Sequence, residues 1–250
     1  MNEILKFFIL GVIQGLTEFL PVSSSGHLNL VTRILKMHLG KGQIFLFVWL
    51  HLATLIALLC FFHKDIKFTL KKVNIFVNLT VATLVTGVLF LLIRNYIEEA
   101  FTNKYLTSLS FLLTSLLLVG IKGNRGGRDI DKINLKDSLA VGSAQTIALL
   151  PGVSRSGITI VTLIKRGIRP LEAFRFSFLM AIPIILGAFM MEFTHLKDSN
   201  FPLHSIIIGF ISALVSGLVA LKILKRVIIN NHLHYFGYYC FFLFVISLII

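Results

Sequence analysis

Six runs of apolar residues, each close to the length of a membrane crossing, constrain this chain more than any other feature. They cover residues 44–62, 75–93, 105–121, 171–191, 205–221 and 235–250. A helix needs about 20 such residues to span a bilayer. Composition agrees, with 56% of residues hydrophobic and only 14% charged, against about a quarter charged in a soluble domain. A disordered chain, a coiled coil and an ordinary soluble enzyme are thereby excluded. An all-α polytopic membrane protein with six transmembrane helices is expected, as one integral membrane domain over 1–250. Cys60 and Cys240 lie inside apolar runs and show neither disulfide nor metal-ligand spacing. The N-terminus lacks the basic stretch and small-residue cleavage site of a signal peptide, so it is expected to belong to the mature protein.

Two further apolar segments, 4–20 and 137–150, do not fit a simple crossing. The first breaks at Pro-Val-Ser-Ser-Ser-Gly and the second at Pro-Gly-Val-Ser-Arg-Ser-Gly. Each break leads into a short half-helix, 27–36 and 158–165. Broken helices survive at membrane depth only where protein or a watery cavity satisfies their backbone. Both segments therefore read as re-entrant hairpins that enter and leave on one side.

The net charge of +13 would suggest nucleic acid in a soluble protein. Here the bases sit in breaks between apolar runs, which suits loops beside anionic lipid, and no nucleic-acid partner is expected. Lys64, Lys67, Lys71 and Lys72, then Lys122, Arg125, Arg128, Lys132 and Lys136, then Lys222, Lys225 and Arg226 mark three cytoplasmic loops. The loops with Glu98, Glu99, Glu192 and Asp198 go outside, and with six crossings so do both termini. Arg33, Lys36 and Lys41 then fall on the outer side, against the trend.

The two hairpins resemble each other at an offset of 131 residues. Gly11 meets Gly142, Gln14 meets Gln145, and Val22, Ser23, Ser25 and Gly26 meet Val153, Ser154, Ser156 and Gly157. Three crossings separate the hairpins, so the second must enter from the opposite face. The halves, about 1–121 and 137–250, then form an inverted-topology repeat, whose substrate site is expected at midplane where the broken helices meet.

Charge at that depth is costly and points to function. Among the acids Glu18 alone falls well inside a hairpin, and among the bases Arg155 alone falls in a hairpin loop. Residues 18–27 add three hydroxyls (Ser23, Ser24 and Ser25) and His27. Residues 151–159 add Ser154, Ser156 and Thr159. Each loop opens a half-helix, whose free backbone N–H groups favour an anion. Arg155 suits bidentate recognition of phosphate. Glu18 could hold a divalent cation or move a proton, and His27 could be a nucleophile or a general acid–base. The alternative is a structural Glu18–Arg155 ion pair. Gln14 and Gln145 read equally as substrate ligands or as bridges between hairpins. His51, in the middle of an apolar run, reads as a hydrogen-bonded core histidine and not as a ligand.

These loops resemble the undecaprenyl-diphosphate phosphatase family, the bacitracin-resistance phosphatases of bacterial membranes. The first signature runs from Gln14-Gly15 through Glu18-Phe19-Leu20-Pro21 to Gly26-His27, and the second spans 151–159. A third stretch, Phe176-Ser177-Phe178-Leu179-Met180-Ala181-Ile182-Pro183, is also similar, and the resemblance covers nearly the whole chain. Some members carry a second Glu where this chain has Gln14, which leaves Glu18 to act alone.

The resemblance implies hydrolysis of undecaprenyl diphosphate to undecaprenyl phosphate and inorganic phosphate, recycling the lipid carrier for peptidoglycan and other envelope polymers. It implies a plasma (inner) membrane location, a site open toward the periplasmic or outer face, and support by Mg²⁺ or Ca²⁺ held at Glu18. Arg155 would clamp phosphate, and Ser24 or His27 would be the nucleophile. Gln14, Ser23, Ser25, Gln145, Ser154, Ser156 and Thr159 would contact substrate. The partners are then a polyprenyl diphosphate and membrane lipid, with a homodimer left open. The competing reading is a transporter of the same architecture for a polyprenyl phosphate or a small anion.

Overall fold

The computed structural model describes residues 2–34, 42–100, 104–192 and 201–249. Eleven α-helices make up almost all of this: α1 (Glu3–Phe19), α2 (Ser24–Ile34), α3 (Gly42–Phe61), α4 (His63–Leu70), α5 (Val73–Ala100), α6 (Lys104–Val119), α7 (Leu135–Ile147), α8 (Arg155–Lys165), α9 (Pro170–Glu192), α10 (Leu203–Ile229) and α11 (Tyr235–Ile249). Among the described residues there is no strand, only one β-bridge between Arg128 and Ile168. The protein is thus an all-helical, multi-pass membrane protein. Val73–Ile97, Pro170–Met191 and Leu203–Ile229 are long and apolar enough to cross a bilayer, and a fourth span arises if Phe45–Phe61 and His63–Leu70, bent by 70°, count as one. The expected crossings at 105–121 and 235–250 form shorter apolar helices, Tyr105–Val119 and Tyr235–Ile249.

Polarity is reversed relative to a soluble fold. Leu91 and Leu92 on α5 are 69% and 70% exposed, whereas Gln14, Thr54, Ser108 and Ser177 are 0% exposed. Apolar side chains on the outside and hydrogen-bonded polar ones within suit a surround of lipid.

The hairpins are held by close helix contacts. α1 lies along α10, and α7 along α5. A Cβ on Gly11 would collide with Ser212 Oγ and the Gly209 carbonyl of α10, and one on Gly142 would sit 2.6 Å from the Ala82 carbonyl oxygen of α5. Small residues let helices approach this closely in membranes. The loop tips are also tied down: Thr114 Oγ1 on α6 lies 3.3 Å from Gly152 O, and Cys240 Sγ on α11 lies 3.7 Å from Pro21 O. Pro21 and Gly152 are themselves 131 residues apart.

At one end the basic segments converge. Arg128 clamps the buried Asp137 carboxylate at 2.9 and 3.0 Å, and Arg166 joins it at 2.9 Å. Asn74 Nδ2 donates to Asp131 O at 2.7 Å, and Arg175 pairs with Asp65 at 3.3 Å. Lys122, Pro170, Ile228 and Asn231 line one small pocket at this end.

Several boundaries differ from expectation. Residues 63–70, expected as loop, form α4, because the charged positions lie on the open side of an amphipathic turn. α5 and α10 overrun their apolar runs to Ala100 and Ile229; on α10 the long side chains of Lys222 and Lys225 are exposed, so the helix continues without burying charge. The half-helices begin at Ser24 and Arg155 and not at 27 and 158, so these two residues occupy first turns. Lys36, Lys41, His195 and Asp198 lie outside the described residues.

Candidate active site

The first hairpin turns where Leu20 is extended (φ −61°, ψ 142°) ahead of Pro21, which ends α1. Ser23 then adopts φ 70°, a left-handed conformation costly for a residue with a side chain. The second turn places Gly152 at φ 97°, against the Thr107 carbonyl, where a side chain would not fit. Both turns finish alike. Ser23 Oγ accepts from Gly26 N at 3.4 Å and stands 3.4 Å from Ser25 Oγ; Ser154 Oγ caps α8 from Gly157 N at 3.1 Å and stands 3.3 Å from Ser156 Oγ.

Glu18 is the centre of the arrangement. Its side chain is 7% exposed. Arg155 Nη2 donates to Oε1 at 2.7 Å. Ser24 Oγ donates to Oε2 at 2.7 Å, and Gln14 Nε2 donates to the same oxygen at 3.2 Å. His51 Nε2 on α3 stands 3.5 Å from Oε2. Ser24 and Arg155 are equivalent positions of the two loops, 131 residues apart, so both half-helices offer their first residue to one carboxylate. The Arg155 guanidinium also lies over Phe178, 5.8 Å from the ring centre. Its Nη1 is buried and has no hydrogen-bond partner among the described residues.

Other expected site residues have different company. His27 Nδ1–H donates to Ser23 O at 2.7 Å, and Tyr239 O–H meets Nε2 at 2.8 Å, so both ring nitrogens are engaged. The Ser24 hydroxyl thus meets the Glu18 carboxylate, whereas His27 meets Ser23 and Tyr239. Gln145 Nε2 donates to Thr86 Oγ1 at 3.1 Å, between α7 and α5. Thr159 Oγ1 donates to Arg155 O at 2.7 Å and stands 2.6 Å from Ser177 Oγ, which braces the first turn of α8 against α9. Gln14 and Gln145 each keep a buried Oε1 without a partner among the described residues.

The residues present do not by themselves form a cation site. Both Glu18 oxygens already accept from donors, and a guanidinium sits 2.7 Å from one of them. Among the described residues no group of three His, Cys, Asp or Glu is placed to hold a metal ion.

His51, which from the sequence reads as a core histidine, and Tyr239, Ser177 and Phe178 are site neighbours that neither loop motif marks. For His51 a signal existed, an ionisable group in the middle of an apolar run. Tyr239 meets His27 across 212 positions of chain, and no local pattern announces that contact.

Comparison with known proteins places the chain in a family. Residues 7–246 match the family model described as bacitracin resistance protein BacA. The chain is 38% identical over 243 residues to the undecaprenyl-diphosphatase of Thermotoga petrophila, covering 97% of this chain and 98% of that one. It is 36% identical over 250 residues to the undecaprenyl-diphosphatase of Thermosipho melanesiensis, covering 97% of each. The like-named protein of Methanococcus maripaludis is 36% identical over 242 residues, covering 93% of this chain and 94% of that one. Glu18, Ser24 and Arg155 all lie inside the matched span, and the chain belongs to the BacA family of bacitracin resistance proteins.

Proposed function

We propose that this protein hydrolyses undecaprenyl diphosphate to undecaprenyl phosphate and inorganic phosphate where its two hairpin loops meet. The observation that carries the reading is the pair of 2.7 Å hydrogen bonds by which Ser24 and Arg155, from opposite hairpins, reach the two oxygens of Glu18. A nucleophilic hydroxyl on a carboxylate base, beside a guanidinium with a free N–H, is what phosphoryl transfer needs.

In this reading the terminal phosphate takes the unpartnered Arg155 Nη1 and the first-turn N–H groups of α2 and α8. Glu18 receives the Ser24 proton as Oγ bonds to the terminal phosphorus and the bond to the bridging oxygen breaks. Undecaprenyl phosphate leaves, and water then releases inorganic phosphate from Ser24. His27 is the weaker nucleophile because Ser23 and Tyr239 engage both of its nitrogens. The product is the lipid carrier required for peptidoglycan and other envelope polymers.

The finer topology belongs to the same proposal: six crossings, two re-entrant hairpins and an inverted repeat. Matched contacts support it, with α1 on α10 against α7 on α5, and Thr114 at Gly152 against Cys240 at Pro21. The clustered basic end is cytoplasmic under the positive-inside rule, in the plasma membrane, with the site open to the outer face. The transport alternative leaves the Ser24–Glu18 bond without a role.

The test is release of inorganic phosphate from undecaprenyl diphosphate by purified protein in detergent. Steady release supports the reading. Movement of the lipid across vesicles with no phosphate released would overturn it.

A further inference from the structure

His51 enters the site from α3, and the paired loops give no account of it. Its Nδ1 lies 2.7 Å from Phe47 O. A carbonyl oxygen only accepts, so Nδ1 bears hydrogen, and in the neutral ring Nε2 presents its lone pair. That nitrogen faces Glu18 Oε2 at 3.5 Å. The same oxygen receives the Ser24 hydrogen bond, while Oε1 belongs to Arg155. The carboxylate is thus divided: one oxygen balances charge, and the other lies between a hydroxyl and an imidazole. A lone pair gains nothing from a bare carboxylate oxygen. It gains a hydrogen bond once that oxygen carries a proton.

We propose that His51 is the proton acceptor behind Glu18. The proposal rests on Ser24 being the nucleophile. As Ser24 Oγ bonds to the terminal phosphorus and undecaprenyl phosphate departs with the bridging oxygen, the Ser24 proton passes to Glu18 Oε2 and on to His51 Nε2. In the second half of the cycle water bonds to phosphorus and the P–Oγ bond breaks. The imidazolium returns its proton through Glu18 to Ser24 Oγ. The water keeps one hydrogen on the inorganic phosphate and releases the other to solvent, so hydrolysis frees one proton overall. An ordinary imidazole holds a proton roughly a hundredfold more tightly than an ordinary Glu carboxylate. The relay therefore takes the proton off Glu18 and restores it as an anion to face Arg155.

The surroundings leave His51 free to serve this role. Among the described residues the charged groups that face it are Glu18 from α1 and, across the carboxylate, Arg155 from α8. α3 also packs against α9 and α10, and residues 176–191 and 205–221 of those helices contain no Asp, Glu, Lys or Arg. His27 is turned to Tyr239. The His51 side chain is 34% exposed, open enough for a small molecule to replace it.

The experiment follows phosphate release from undecaprenyl diphosphate by the full-length protein in detergent between about pH 5 and 9. The wild-type kcat should rise with pH along one limb within this range. His51→Gln, of similar size but unable to take a proton, should lower kcat about 100-fold, keep KM within about twofold because the ring touches no phosphate-binding donor, and abolish that limb. His51→Ala should regain turnover with added imidazole, in proportion to its neutral fraction. A His51→Gln enzyme that keeps both its kcat and the limb overturns the proposal. So does a His51→Ala enzyme that imidazole leaves unchanged, and this arm decides the matter if the Gln variant fails to fold. A histidine that only packs would lower thermal stability without moving the limb. Ser24→Ala separates the two readings: full activity there defeats the nucleophile assignment itself, whereas an inactive Ser24→Ala beside an unaffected His51→Gln defeats only the relay.

Discussion

Replacing Arg155 by Lys keeps the charge and changes the geometry. The guanidinium uses Nη2 for Glu18 at 2.7 Å and leaves Nη1 buried and free for a phosphate oxygen, with its flat face over Phe178. A lysine ammonium is a single nitrogen on a flexible stem, without the planar fork that spans two acceptors. It can stay with Glu18 or reach the phosphate, so at least one charge-assisted hydrogen bond is lost. Such a bond contributes about 1.5–3 kcal/mol, and about 1.4 kcal/mol is a tenfold change in rate. The kcat/KM of Arg155→Lys should therefore fall roughly 10- to 150-fold. Glu18 still faces a cation, so the variant should insert, purify and melt close to the wild type. The assay is phosphate release across a range of undecaprenyl diphosphate concentrations, beside a thermal melt of the same sample. A folded variant with kcat/KM within threefold of wild type would refute the reasoning and remove Arg155 from the phosphate site.

Glu18→Gln should abolish turnover and leave the Arg155 guanidinium without its anion, at a cost of about 3–5 kcal/mol; adding Arg155→Met should recover most of the lost melting temperature without restoring activity, and a double variant no more stable than the single would show that this pair does not hold the hairpins. Gly11→Ala drives a methyl into Ser212 and the Gly209 carbonyl and should destabilise by about 1–3 kcal/mol, whereas Gly87→Ala, with nothing within 4 Å, should be neutral or stabilising in the same melt; equal effects would contradict the tight α1–α10 contact. Because both Glu18 oxygens are engaged, the substrate-free protein should give no calorimetric signal with Mg²⁺ or Ca²⁺, and a saturable micromolar isotherm that Glu18→Gln removes would contradict that geometry.

The parts of the site that could be read from sequence are those where the chain announces its own exceptions. Pro21 and the Pro151-Gly152 pair break apolar runs, and polar loops at membrane depth have few uses. Glu18 and Arg155 stood out because an unpaired charge cannot rest there, and each does have the other as its partner. His51 also stood out, but its pattern fits a histidine bonded to its own helix, which it is, through Phe47. Only the packing of α3 on α1 shows that the other nitrogen faces Glu18. Tyr239 and Ser177 belong to the same class, set by contacts across 212 and 18 positions of chain. Helix ends are harder to read for a separate reason: hydropathy marks where an apolar run ends, and α5, α10 and the amphipathic α4 continue past that point.

If the two hairpin loops build one phosphoryl-transfer centre, with Ser24 attacking and Arg155 holding the phosphate, each cycle passes through a phosphoserine. A rapid-quench experiment with undecaprenyl diphosphate labelled at the terminal phosphorus tests it most directly. Label is expected on the protein in the first turnover, stable to acid and lost in alkali as a serine ester is, mapping to Ser24, and absent from Ser24→Ala. Acid-labile, alkali-stable label on His27, or full turnover by Ser24→Ala, would contradict it.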